Sequence, residues 1–200
     1  ERYYKTIKDK GVKEPLNILE DLVEASITLD FDMSEIPVLF KQEAPDKKSL
    51  IAMGKSLIKT FYESIDLQGY QIVEVEMPLS ATLYDELGKP TDFKLIGVID
   101  LLLMSDLGEI VIVDNKSAAK PKSQSTVDDD LQFSAYSYLL ASNRMTFARA
   151  DIQCRLDVLR KLKTPKFEQY HTVRTAENRR RFAKLASAVL KGIESRVFIP

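Results

Sequence analysis

The sequence predicts an α/β protein in which helices flank a mixed β-sheet. Two observations support this prediction: helical periodicity fills the first third of the chain, and apolar segments of strand length then alternate with helical segments. The chain has 200 residues, of which 44% are hydrophobic, enough for one domain with its own core. The predicted order is helices, three strands, a helix, two strands and a helix, which is typical of an α/β sandwich.

The N-terminal third is predicted to be helical. Residues 14–29 and 46–66 show helical spacing of apolar side chains, and Asp46 can cap the second of these helices with its carboxylate. Residues 31–44, which contain Pro37, are predicted to connect the two helices as a loop.

Three strands are predicted in the middle of the chain. Residues 71–77 alternate apolar and polar side chains as a half-buried strand does, whereas residues 94–104 and 109–114 are apolar almost throughout, as central strands are. Because residues 105–108 have the composition of a turn, the last two strands should pair as an antiparallel hairpin.

The remaining elements are two helices and two strands. Residues 125–142 are predicted to form a helix whose first turn contains the acidic run 128–130, where the helix dipole favours negative charge. A final helix is expected to begin after Thr175, a candidate N-cap. The two strands and this helix are predicted at residues 149–159, 167–173 and 176–195.

Charge is distributed unevenly along the chain. Residues 1–143 carry 15 basic and 25 acidic side chains, and residues 144–200 carry 14 and 5. This segregation favours a basic surface that faces a polyanion, although a solvated helix face at residues 179–181 is the alternative. A single cysteine, with no signal sequence and no apolar segment of bilayer length, leads us to expect a cytoplasmic protein that uses no membrane.

Two carboxylates stand out in the predicted hairpin. Asp100 lies inside an apolar strand, where an unpaired carboxylate is costly, and Asp114 ends the next strand. If residues 105–108 form the whole loop, Asp100 faces Val113, whereas one bulge residue near the turn would place it opposite Asp114. In either register the carboxylates are close, and a divalent cation would remove their repulsion.

Lys116 extends this pair to a candidate hydrolytic site. Strand alternation points Lys116 to the same side as Asp114. The acids could hold Mg²⁺ or Mn²⁺ through oxygen ligands, and the metal would activate a water for attack on a phosphodiester. The lysine could orient that water or stabilise the developing charge. The alternative is a salt bridge between Asp114 and Lys116, with Asp100 bonded to backbone.

The predicted helix after the hairpin supplies two further polar groups. Gln132 and Tyr136 are four residues apart and therefore share one helix face. Their amide and phenol could bond a metal-bound water, a ligand carboxylate or a DNA phosphate. The alternative places Tyr136 in the core and Gln132 at the surface.

Three motifs together resemble those of the RecB-like exonuclease family of the PD-(D/E)XK nuclease superfamily. The segments GVID at 97–100, IVDNK at 112–116 and QFSAY at 132–136 are similar to the G-x-I-D, (D/E)-x-K and Q-x-x-x-Y motifs of that family in order and spacing. The similarity covers most of residues 70–200, including an Arg-Thr pair at 174–175, and is weaker over residues 5–69.

The resemblance implies a restriction-endonuclease-like core and a Mg²⁺- or Mn²⁺-dependent deoxyribonuclease. It implies an exonuclease that acts on DNA ends or single strands in repair, recombination or phage biology, with contacts mostly to backbone phosphates. Asp100 and Asp114 would be metal ligands, the backbone carbonyl of Asn115 a third ligand, and Lys116 the catalytic lysine. Supporting or DNA-contacting roles would fall to Gln132 and Tyr136.

Two departures from the family pattern lead us to expect a fragment of a longer chain. The family commonly has a histidine on its first helix, four residues before a glutamate, and residues 1–4 resemble the end of that motif. Many relatives also hold an iron–sulfur cluster through cysteines that follow a segment like 198–200, and such a cluster would need a longer chain than this one. We expect a single nuclease domain over residues 1–200, with a helical part at 1–69 and a catalytic core at 70–200.

Two other functions stay open at this point. A catalytically inactive nucleic-acid-binding module would still bind DNA after loss of Asp114. An interaction subunit of a helicase–nuclease complex would expose apolar surface on its N-terminal helices. Among the remaining polar residues, His171 and Cys154 are interpreted as structural, and Glu76 as a solvated side chain rather than a metal ligand.

Overall fold

A five-stranded sheet with helices around it forms the structure, a computed structural model that describes residues 1–40, 44–85, 87–147 and 149–197. The helices of these ranges are α1 (Arg2–Lys10), α2 (Leu16–Asp32), α3 (Lys47–Ser64), α4 (Gln124–Asp128), α5 (Leu131–Ser142) and α6 (Ala176–Glu194). The strands are β1 (Tyr70–Tyr84), β2 (Pro90–Ser105), β3 (Ile110–Ala118), β4 (Ile152–Arg160) and β5 (Lys166–Arg174), in the sheet order β1-β2-β3-β4-β5. The predicted mixed sheet flanked by helices is confirmed.

The helical prediction for the N-terminal third is confirmed with shifted bounds. The carboxylate of Asp46 accepts a hydrogen bond from the amide of Ser49 at 2.6 Å, so the predicted cap starts α3. The loop predicted over residues 31–44 begins later than expected because α2 continues to Asp32, and its residues 41–43 lie outside the described residues. Helix α1 has no separately predicted counterpart. No helix within the described ranges is both long and apolar enough to cross a membrane.

The three central strands are longer than their apolar patterns predicted. Strands β1, β2 and β3 pair antiparallel in succession, which confirms the hairpin. The strand predicted over residues 109–114 continues to Ala118 as β3. The four added residues are half-buried or exposed, and three of them are polar, so hydropathy detects only the buried part of the strand.

The helix predicted over residues 125–142 is two helices. Helix α4 ends at Asp128, and the carboxylate of Asp130 accepts a hydrogen bond from the amide of Gln132 at 2.8 Å, which makes Asp130 the N-cap of α5. The prediction that the acidic run 128–130 sits in the first turn of one helix is therefore wrong. The short side chain of an aspartate can accept hydrogen bonds from nearby backbone amides in place of the helical carbonyls. Such a residue therefore ends one helix and starts the next.

The chain divides into two compact units, each with its own core. The first comprises Glu1–Gln68, Asn115–Pro121 and Asp157–Gln169, and the second comprises Gly69–Asp114, Lys122–Leu156 and Tyr170–Pro200. The first unit contains an edge-to-face cluster of Tyr3, Tyr4 and Phe61. The core of the second contains fully buried residues of the central strands: Ile99, Leu101, Leu102, Leu103, Ile112 and Val113.

The buried thiol of Cys154 in β4 gives a prediction about reactivity. Burial raises the pKa of Cys154 to about 12, whereas an exposed cysteine titrates near 8.5. Because the thiolate is the reactive form, we expect the folded protein at pH 8 to resist a disulfide reagent such as Ellman's reagent and the protein in denaturant to react within minutes. Rapid labelling of the folded protein would contradict this, and Cys154→Ser provides the blank.

Candidate active site

Asp100 and Asp114 are the next residues of β2 and β3 beyond the last pair of their antiparallel ladder. Leu101 pairs with Val113, and the same register continued by one residue would set Asp100 opposite Asp114. This is the register that needs one extra residue at the turn. Asp114 is only 2% exposed, and Asp100 is half-buried. The hairpin therefore carries two carboxylates on neighbouring strands, and one of them is removed from water.

Gln132 and Tyr136 stand beside this pair in the second unit. The Nε2 amide of Gln132 donates to Oδ1 of Asp114 at 3.0 Å and to the hydroxyl of Tyr136 at 2.7 Å. Tyr136 is buried, as the core interpretation predicted, and it also belongs to the polar network. Burying a carboxylate is costly unless it is hydrogen-bonded, and Gln132 supplies one such bond to Asp114.

Arg174 fixes the start of α5, where Gln132 lies. Its side chain is 1% exposed, and its guanidinium donates to the backbone carbonyls of Val127 and Asp130, both at 2.9 Å, and to Oγ of Ser134 at 3.1 Å. These bonds hold the junction of α4 and α5. The sequence contained Arg174 in the Arg-Thr pair of the family resemblance, but nothing in the pattern indicated that it is buried.

Gly97 lets α5 approach β2 closely. A Cβ at this position would lie 2.9 Å from Cδ1 of Leu139 and 3.5 Å from Cε1 of Tyr136. The first of these distances is shorter than a normal carbon contact. The glycine of the GVID segment thus has a packing role: it sets the distance between the strand that carries Asp100 and the helix that carries Gln132.

Replacing Gly97 by alanine should disturb the site more than the fold. The Leu139 side chain can rotate away at a cost of roughly 1–3 kcal/mol, the usual penalty for overpacking, but Tyr136 and Gln132 must shift with it. We expect a modest fall in melting temperature and a larger fall in metal affinity. The matched control is Val98→Ala, at the half-exposed position of β2 that follows Gly97. Metal affinity equal to that of the parent protein would contradict this role of Gly97.

Asn115 and Lys116 continue β3 in the first unit. The hydroxyl of Tyr4 donates to Oδ1 of Asn115 at 3.4 Å. Lys116 is exposed and, with the buried Asp157, lines a cavity of about 280 Å³ within this unit. Since Lys116 follows Asp114 by two positions in the same strand, strand alternation keeps the two side chains on one side of β3.

The donor set around Asp114 fits a hard divalent cation. The described residues contain no cluster of three or more His, Cys, Asp or Glu side chains suited to a metal. Mg²⁺ is usually held by one or two carboxylates, several waters and substrate phosphates, so Asp100 and Asp114 would suffice as its protein carboxylates. Glu76 is exposed and adopts a left-handed backbone with φ of 54°, and it joins no such cluster.

The comparison with known protein families identifies the chain. A family model of the PD-(D/E)XK nuclease superfamily matches residues 1–199. The chain belongs to the PD-(D/E)XK nuclease superfamily. The expected restriction-endonuclease-like fold is thereby confirmed. Members of this superfamily act on nucleic acid and generally use divalent metals, in agreement with the donor set described above.

Solved structures resemble this PD-(D/E)XK domain at low sequence identity. A crystal structure of a "Putative exonuclease" from Eubacterium rectale is 12% identical, with a TM-score of 0.50, over 94% of this chain and 71% of that one. A protein named SSO0001 is 13% identical, with a TM-score of 0.41, over 86% of each chain. No curated protein matches the sequence. At these identities the first likeness supports the fold alone.

Proposed function

We propose that this PD-(D/E)XK domain hydrolyses phosphodiester bonds of DNA with Mg²⁺ or Mn²⁺ and belongs to the RecB-like exonucleases. The observation that carries the proposal is Asp114. Asp114 is a 2%-exposed carboxylate that accepts a hydrogen bond from Gln132, and it lies one residue beyond the last pair of β2 and β3, where Asp100 is the corresponding residue of β2. Two carboxylates on neighbouring strands are a ligand pair of the kind that holds Mg²⁺, and a bound cation would offset their mutual repulsion.

Each residue of the site has a proposed role in this reaction. Asp100 and Asp114 would hold the metal, with the backbone carbonyl of Asn115 as a third ligand. When bound, the metal supplies an activated water and neutralises charge on the phosphate. Lys116 would donate hydrogen bonds to the attacking water or to a non-bridging phosphate oxygen as negative charge develops. Gln132, held by Tyr136, would orient the carboxylate of Asp114.

The motif order and the charge distribution support DNA as the substrate and the RecB-like assignment. The three segments GVID, IVDNK and QFSAY together resemble the RecB-like motifs. The hydrogen bond from Gln132 of the third segment to Asp114 of the second supports this assignment. The excess of basic residues in 144–200 suits a polyanion. The exonuclease assignment rests on the resemblance.

A nuclease assay on defined substrates tests this function. We would incubate the protein with end-labelled linear single and double strands, with a closed circular single strand and with RNA, in Mg²⁺, in Mn²⁺ and in a chelator. The proposal predicts metal-dependent degradation of linear DNA from its ends, with the circle resistant. Degradation of the circle would overturn the exonuclease assignment, and degradation of RNA alone would overturn the choice of DNA.

Replacing Gln132 by alanine should weaken the metal site without removing it. Loss of a residue that orients a metal ligand typically lowers metal affinity or activity roughly 10- to 100-fold, and Asp114 would lose a 3.0 Å hydrogen bond. Mn²⁺ titration with cleavage as the readout would show a higher half-saturating concentration. Gln71→Ala, at an exposed position of β1, serves as the control. An unchanged metal requirement in Gln132→Ala would exclude this role.

A second proposal concerns a protein partner. Helix α2 and the residue after it expose four large apolar side chains at 38–74% of their surface: Ile18, Leu22, Leu29 and Met33. Such a surface is typical of protein–protein contacts and suits a subunit of a helicase–nuclease complex. A double substitution of Leu29 and Met33 by serine should release a co-purifying helicase subunit while leaving metal-dependent cleavage intact. Retention of that subunit would contradict the proposal that this surface binds it.

A further inference from the structure

A groove of about 750 Å³ lies in the second unit, between the end of β1 and the helices α5 and α6. We call it the basic groove. Helices α5 and α6 pack on each other and on β1, and small side chains where they meet leave room for a ligand. Its lining combines these small residues with tyrosines and cations: Ala141, Ser142, Ala176, Ala183, Gly88, Tyr84, Tyr138, Asp85, Arg149, Arg179, Arg180 and Lys184.

Two tyrosines give the basic groove an aromatic surface. Tyr84 is the last residue of β1, and its side chain is 43% exposed. Tyr138 is buried, and its hydroxyl donates to the carbonyl of Thr82 at 2.7 Å. Burial raises the pKa of Tyr138, so this phenol stays a neutral donor. Tyr84 is therefore the ring that is available for stacking. The end of β1 that carries it is held by the hydrogen bond from Tyr138 to Thr82.

The cations of the groove are only partly neutralised. Arg180 pairs with Glu177 at 2.8 Å. The carboxylate of Asp85 is engaged by the backbone amides of the turn that follows it, at 2.8 Å. Arg149 and Lys184 are exposed, and among the residues that the structure describes neither is paired with a carboxylate. The groove thus presents two exposed positive charges around an aromatic ring.

The basic groove and the carboxylate pair lie toward opposite ends of α5. Gln132, in the first turn, bonds to Asp114, whereas Ala141 and Ser142, in the last turn, line the groove. Nine residues separate Gln132 from Ala141, which is about 13 Å along a helix axis. A stacked nucleic-acid strand rises about 3.4 Å per nucleotide, so this distance corresponds to about four nucleotides.

We propose that the basic groove binds a single-stranded segment of DNA about four nucleotides from the bond that is cleaved, with one base stacked on Tyr84 and its phosphates near Arg149 and Lys184. The distance from the groove to the cleaved bond rests on the proposed function, whereas binding of the strand to the groove does not. A positively charged groove with an exposed aromatic ring is the feature that binds single strands without sequence preference. An acidic peptide or a second copy of the chain would use the cations without needing an exposed ring.

Binding is measured first, in chelator, where no cleavage occurs. The probe is a labelled 20-nucleotide thymidine strand, followed by fluorescence anisotropy at several salt concentrations. Arg149→Ala with Lys184→Ala should weaken binding about tenfold or more and reduce the slope of log affinity against log salt by about 1.4, since each phosphate contact on a single strand contributes about 0.7. Tyr84→Ala should weaken binding roughly five- to 150-fold with little change in slope.

A matched control removes the same charge elsewhere. Arg181→Ala with Lys13→Ala replaces two exposed cations that do not line the groove, and it should leave both affinity and slope near the parent values. Equal losses in the control and groove variants would overturn the proposal, because the effect would then reflect net charge alone. A change of oligomeric state in the groove variants, seen by sedimentation, would also overturn it in favour of a second copy.

Cleavage of short and long substrates separates this proposal from the proposed function. With metal, the parent protein should cleave a 12-nucleotide strand with a lower KM than a 3-nucleotide strand, and the groove variants should lose that advantage while keeping their rate on the shorter strand. If neither strand is cleaved, the proposed function fails while the anisotropy result still stands. If both are cleaved with equal KM by parent and variants, the groove proposal fails and the proposed function remains.

Discussion

Lys116→Ala is expected to lower the rate of DNA cleavage by roughly 100- to 1000-fold, the usual effect of removing one donor that stabilises developing charge. The proposed role of Lys116 is confined to the transition state, so the loss should fall on kcat and leave KM nearly unchanged. Lys116 is exposed at the end of β3, and its replacement should leave the fold intact. Single-turnover kinetics at saturating Mn²⁺ would measure the effect directly.

Three comparisons make the Lys116 result decisive. Lys120→Ala removes the same charge from the exposed loop after β3 and should lower the rate less than about threefold, as a rim phosphate contact would. Lys116→Arg keeps the charge with a different geometry and should recover only part of the rate. Mn²⁺ binding should be the same in all three variants. A Lys116→Ala protein with the parent rate would exclude Lys116 from the reaction.

Arg174→Ala is expected to lower the free energy of unfolding by roughly 3–5 kcal/mol, because it removes the hydrogen bonds that a buried guanidinium donates to two carbonyls and a hydroxyl. The affected groups are the carbonyls of Val127 and Asp130 and the hydroxyl of Ser134. The guanidinium also lies 5.7 Å from the centre of the Phe133 ring. The junction of α4 and α5 should loosen, and the position of Gln132 should loosen with it. Urea unfolding followed by circular dichroism would measure the loss.

Two further variants separate the buried role of Arg174 from its charge. Arg181→Ala removes an exposed arginine of α6 and should change stability by less than about 0.5 kcal/mol. Arg174→Lys keeps the charge but cannot bridge two carbonyls and a hydroxyl at once, so it should fall between the parent and Arg174→Ala. An Arg174→Ala protein within about 1 kcal/mol of the parent would contradict the role of this side chain in fixing α5.

The sequence predicted the central hairpin because its strands are buried. Apolar residues run through 94–104 and 109–114, and such patterns report burial directly. The register was left open between two alternatives because apolar strands tolerate either turn. Pairing of Leu101 with Val113 in the structure excludes the register in which Asp100 faces Val113, and its continuation would set Asp100 opposite Asp114. The residues of the motifs were thus predictable from the sequence, whereas the register of the two strands depended on the length of the turn.

Other features could not be predicted because they depend on distant partners. Arg155, Arg160, Arg174 and Arg179 are all at most 7% exposed, although they belong to the basic segment that the charge count assigned to a surface. Arg174 and Arg179 donate to carbonyls and hydroxyls far away in sequence, such as those of Ser137 and Ala150 for Arg179. Arg160 pairs with the carboxylate of Glu168. The break between α4 and α5 was missed because an acidic run suits either the first turn of a helix or an N-cap.

The most direct test of the central claim is a calorimetric titration of Mn²⁺ into the protein and into its Asp100→Asn and Asp114→Asn variants. The claim is that β2 and β3 bring these two carboxylates to one divalent cation. It predicts one binding site in the parent protein and loss of that site in both variants, with unchanged far-ultraviolet circular dichroism. A parent protein that binds no Mn²⁺, or binding that survives in Asp114→Asn, would contradict the claim.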